Sequence, residues 1–110
     1  MIARIAVDGL VYAIDKPYSY QLPPRLGAAR PGCRVSVPFG AGNRLREGMI
    51  LALEEKDAPE LKEVCELLDP APVVSEGMLR VAAFVRERYF STFYEAIRAM
   101  LPAGLWLQSR

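Results

Sequence analysis

Side-chain catalysis needs a nucleophile, a base and a group to orient them, and this chain offers little of that equipment. It contains no histidine and only two cysteines. Ser-His-Asp and Cys-His catalysis and mixed Cys/His zinc sites are therefore excluded, and two thiols cannot build a four-thiolate site. Cys33 and Cys65 lie within apolar runs instead of forming a close-spaced pair, the pattern of reduced, buried thiols in a cytosolic protein. The stretch Gly40-Ala41-Gly42-Asn43-Arg44-Leu45 begins like a dinucleotide fingerprint but carries Leu where the last glycine belongs, and no GxxxxGK segment exists. No metal, cofactor or nucleotide-driven motor is expected. What remains is a set suited to binding. Tyr18 and Tyr20 share one face of a strand, a glycine-bearing turn follows at Gly40, and Arg34, Arg44 and Arg46 supply cations. Bases stack on aromatic rings, cations attract phosphates, and a loop glycine lets backbone groups come close, so these residues suit single-stranded nucleic acid. Tyr18, beside Pro17, is the surface candidate; Tyr20 is expected in the core. Arg34, Arg44 and Arg46 are candidate phosphate contacts from a hairpin and its tip.

The charge balance limits the kind of binding. A net charge of +1 argues against gripping a long nucleic-acid backbone mainly by electrostatics. The distribution is uneven, however: residues 1–50 carry +4 and residues 51–110 carry −3. Phosphate contacts belong in the first half. The acidic 54–69 stretch suits a protein-docking surface instead. With 110 residues, 52% of them hydrophobic, the chain can bury one core as a single domain over 1–110. No basic leader precedes a long apolar stretch, and no window approaches about 18 consecutive apolar residues, so a soluble, cytoplasmic protein with no membrane partner is expected.

The elements that must position these residues follow from periodicity. Ile2–Val7 is β-branched and alternating, Tyr18–Leu22 alternates aromatic with polar before Pro23-Pro24, and Cys33–Phe39 alternates strictly, with Arg34 and Ser36 outward. Glu47–Glu54 resumes an apolar strand, so it and Cys33–Phe39 form a hairpin around a mobile tip at 40–46. Leu61–Asp69 reads equally as a strand or a short helix. After Pro70 and Pro72 the period changes. Ser75 can cap a helix from Glu76 to Tyr89, with Met78, Leu79, Ala82, Phe84 and Val85 opposite Arg80, Arg86 and Arg88. Thr92-Phe93-Tyr94-Glu95 is a capping box opening a second helix, which carries Ile97, Met100 and Leu101 to a stop at Pro102-Ala103-Gly104. The fold expected is α+β and mainly β: a small OB-like antiparallel barrel or curled sheet over 1–69, then a helical pair over 75–101 packed on it.

Three blocks then point to a family. Tyr18-Ser19-Tyr20-Gln21-Leu22-Pro23, Pro31-Gly32-Cys33-Arg34-Val35-Ser36-Val37-Pro38-Phe39-Gly40, and Leu61-Lys62-Glu63-Val64 with Leu67-Leu68-Asp69 resemble the N-terminal domain of PriA-type replication-restart helicases, primosomal protein N′. The family reads approximately F-D-Y-x-L-P, P-G-x-R-V-x-V-P-F-G, L-K-x-V and L-D. The closing Leu101-Pro102-Ala103-Gly104-Leu105 is similar to the family's ending of this domain. The resemblance implies a module, part of a larger helicase, that recognises the 3′ end of a DNA strand without regard to base identity. Its pocket residues would be Tyr18, Ser19, Gly40 and Lys62. Tyr18 would offer an aromatic rim, Gly40 a close backbone approach and Lys62 a cation near the terminal sugar-phosphate. Ser19 replaces the family's aspartate, exchanging a charged acceptor for a hydroxyl. Implied partners are the DNA 3′ terminus, the remaining helicase domains and other primosome proteins. The competing expectation is a docking module with little DNA affinity of its own.

Overall fold

A computed structural model describes residues 1–10, 15–89 and 92–100. Strands β1 (Ile2–Val7), β2 (Tyr18–Gln21), β3 (Arg34–Phe39), β4 (Arg44–Glu54) and β5 (Glu66–Leu67) precede helices α1 (Glu76–Tyr89) and α2 (Phe93–Met100). The strands form one antiparallel sheet in the order β2-β1-β4-β3-β5. It is the mainly β, α+β fold expected, as a curled sheet and not a closed barrel.

The curl brings distant strands together. β2 and β3 are separated by β1 and β4 in the sheet, yet the Tyr20 hydroxyl on β2 donates to the Pro38 carbonyl on β3 at 2.7 Å. A register shift between Arg4 and Ile5 in the β1–β4 pairing marks a bulge, which bends a strand and increases its twist. Near the other edge, Gln21 bridges in parallel to Glu63 through Gln21 N–H to the Lys62 carbonyl (2.8 Å) and Val64 N–H to the Gln21 carbonyl (3.0 Å). The concave face so formed buries Ile5, Val7, Tyr20, Cys33, Val35, Val37, Ile50 and Val64.

The convex face is covered as well, by the helical pair. Ala6 and Met49 pack there with Val74, Leu79, Ala82, Tyr94, Ala96 and Ile97. Burial on both faces explains why Ile5, Ala6 and Val7 are consecutive buried residues of β1. Both helix caps expected from sequence are present. The Ser75 hydroxyl accepts from Met78 N–H at 3.1 Å, Thr92 Oγ1 accepts from Glu95 N–H at 3.1 Å, and Glu95 accepts from Thr92 N–H at 2.9 Å. Phe84, expected on the buried stripe, is 58% exposed, because α1 rests on the sheet through Leu79 and Ala82. The expected stop at Pro102-Ala103-Gly104, the Leu101–Leu105 motif and the middle of the loop before Asp15 lie outside the described residues.

Candidate nucleic-acid interface

A groove of about 420 Å³ opens where the end of the curl meets the loop before β5, lined by Tyr18, Ser19, Tyr20, Phe39, Gly40, Glu60, Leu61 and Lys62. Three separated segments build it. β2 supplies the tyrosines and Ser19, the end of β3 and the turn after it supply Phe39 and Gly40, and the 57–62 segment supplies the rest. Gln21 staples the last segment to β2: its side-chain amide donates to Asp57 at 3.2 Å and accepts from Ala58 N–H at 3.3 Å. A turn closed by Leu61 N–H on the Ala58 carbonyl (3.0 Å) then sets the groove wall.

Tyr18, Ser19, Gly40 and Lys62, the four residues singled out by the sequence, all line this groove. Tyr18 is half-buried and meets Phe39 edge-on, with ring centroids 5.0 Å apart and planes at 86°. Lys16 Nζ sits 5.7 Å from the Tyr18 centroid and the Arg46 guanidinium 5.6 Å from that of Phe39, so cations flank the aromatic pair at both ends. Lys62 Nζ donates to the Gly40 carbonyl at 2.9 Å while the residue stays exposed, leaving ammonium protons for a second acceptor. Tyr20 is nearly fully buried, and burial pushes its phenol up to about 12. It fixes the groove floor as a neutral donor.

Gly40 has a φ of +77°, yet a Cβ there would meet nothing within 4 Å. The backbone conformation, not crowding within the fold, is what asks for glycine. The space above its peptide is open to a ligand.

The three arginines separate. Arg34 is not a surface cation: it is 3% exposed, and its guanidinium and backbone N–H bind both carboxylate oxygens of Asp69 at 2.8–2.9 Å. Glu47 lies 4.0 Å from its Nη1 and accepts a hydrogen bond from the Tyr94 hydroxyl. The Asp69 hydrogen bonds raise the Arg34 pKa, outweighing burial, and desolvation raises that of Tyr94. Alternation correctly turns Arg34 away from the concave core, but the convex face at that point is covered. A phosphate cannot reach it. Arg44 and Arg46 lie on β4, because the turn spans only Gly40–Asn43 and Arg44 already pairs with Phe39. Arg44 is exposed; Arg46 is partly anchored by donating to the Asp8 carbonyl at 3.3 Å. The 61–69 segment is extended, bridging at Glu63 and forming β5.

Sequence reasoning did not single out Lys16, Phe39, Leu61 or Glu60. Phe39 ends a recognisable strand, and Lys16 precedes Tyr18 at strand spacing. Glu60 carries no local signal, since only the fold brings it opposite β2. No described helix is long and apolar enough to cross a membrane.

The model of the 3′ DNA-binding domain (3′BD) family matches residues 4–102, and the chain belongs to that family. It is 36% identical over 107 residues to the replication restart protein PriA of Bacillus subtilis (strain 168), an alignment covering 94% of this chain. The chain spans only 13% of that relative's length.

Proposed function

We propose that this chain binds the 3′ end of single-stranded or nascent-strand DNA, without selecting the base, and thereby orients a replication-restart helicase at stalled forks. The observation that carries the reading is the convergence of Tyr18, Ser19, Gly40 and Lys62, from three separated segments, on one groove. An aromatic rim accepts any base face, and among the described residues no side-chain amide or guanidinium lines the groove to read base edges bidentately. Lys62 and Lys16 offer charge to the terminal phosphodiesters, and Arg44 and Arg46 are proposed to meet phosphates farther along. No metal, cofactor or catalysis is invoked for this chain. It works in the cytoplasm beside the remaining helicase domains and other primosome proteins.

Competition against a fluorescent oligonucleotide tests the reading. Linear single strands should displace the probe, and circles of the same sequence, which have no ends, should not. Equal displacement by circles would refute end recognition.

A second reading, a docking module for the rest of the helicase, draws on Val81 and Phe84, which are 51% and 58% exposed on α1. It predicts negligible DNA binding by the chain and a complex with the remaining domains supplied in trans, abolished by charged substitutions at those two positions.

A further inference from the structure

Cations can draw DNA to a groove, but they cannot tell its end from its middle. An internal nucleotide carries a phosphodiester on its 3′ oxygen; a terminal one carries a hydroxyl. Beyond steric exclusion of a continuing strand, recognition can reward a neutral O–H donor, penalise an anion, or do both. A carboxylate does both at once, because it only accepts hydrogen bonds and repels phosphate. Among the described residues, the groove lining contains one carboxylate, that of Glu60. Ser19 can donate as readily as accept and is indifferent to the choice.

Glu60 is placed for this task. It sits on the 58–61 turn, which is closed by Leu61 N–H and tied to β2 through both polar atoms of the Gln21 side chain. It is exposed and makes no ion pair within 4 Å among the described residues, so its acceptor capacity is not consumed by the fold. Lys62, two residues on, is held on the Gly40 carbonyl at 2.9 Å. The groove thus pairs a tethered cation with an unpaired anion.

We infer that Glu60 is the specificity-determining residue of the groove, accepting a hydrogen bond from a terminal 3′ hydroxyl and excluding a 3′ phosphate; this rests on the end-binding reading above. The test titrates the 110-residue chain and its Glu60→Gln variant with oligothymidylates ending in 3′ hydroxyl or 3′ phosphate, by fluorescence anisotropy. The unsubstituted chain should prefer the hydroxyl. In Glu60→Gln that preference should shrink by about tenfold, through weaker hydroxyl binding and tighter phosphate binding, the size expected for one charge-assisted hydrogen bond. Circular dichroism should be unchanged, because Glu60 has no ion-pair partner to lose among the described residues. An unaltered preference in Glu60→Gln, or no preference in the unsubstituted chain, would overturn the role of Glu60. The linear-against-circle competition decides end binding separately, so failure of the Glu60 role and failure of end binding are told apart.

Discussion

At the start of β3, Arg34 is 3% exposed and holds Asp69 through two guanidinium bonds and its own backbone N–H, with Glu47 and Tyr94 completing the cluster. At the end of the same strand, Phe39 and Gly40 open into a groove where Lys62 keeps one backbone partner and Glu60 has no ion-pair partner among the described residues. Both ends are rich in charge, and they use it differently. Desolvated charges must be matched by partners in good geometry, so the first cluster is committed to joining β3, β4, the 69–74 segment and α2. The groove charges stay in water, where holding a ligand costs little desolvation. Charge that is available for DNA is therefore found by exposure and partnering, not by counting arginines.

The largest expected effect breaks the buried end. Asp69→Ala leaves Arg34 buried without its main partner and should cost about 3–5 kcal/mol in urea denaturation, a large share of a small domain's stability. An Arg34→Met/Asp69→Leu double variant should lose clearly less, since an apolar replacement carries no stranded charge. A double variant as unstable as the single one would mean that the pair contributes more than its own compensation. At the groove end the pattern should invert. Lys62→Ala should leave the urea midpoint essentially unchanged while lowering affinity for single strands about five- to tenfold, as for one lost charge-assisted contact. Smallest is Arg44→Ala, read as salt dependence: losing one phosphate contact should reduce the slope of log affinity against log salt by about 0.7. An unchanged slope would remove Arg44 from the DNA path.

Much of the frame was legible from local pattern. The alternation of Val35 and Val37, the Ser75 cap and the Thr92–Glu95 box are short-range signals, and each appears where the spacing put it. What escaped depends on residues far apart in sequence. Period-two alternation says that Arg34 points away from Val35, but not that Asp69, 35 positions later, returns to cover that face. Arg44 and Arg46 look like loop residues because their strand is polar at its start, and only pairing with Phe39 and Val37 makes it a strand. For 61–69, backbone hydrogen bonds to Gln21, Ser36 and Arg34 hold the segment extended, and its own composition did not decide. The groove's four principal residues were found through family resemblance; Glu60 and Lys16 are ordinary charged residues until the curl assembles them.

A groove that reads a strand's 3′ end differs measurably from one that merely attracts phosphates. The direct measurement titrates one single strand, with either a free 3′ hydroxyl or a bulky 3′ terminator, at low and moderate salt. Tighter binding of the free end is expected, with a ratio between the two strands that persists as salt rises while both affinities fall. Equal affinities, or a difference that vanishes with salt, would contradict it.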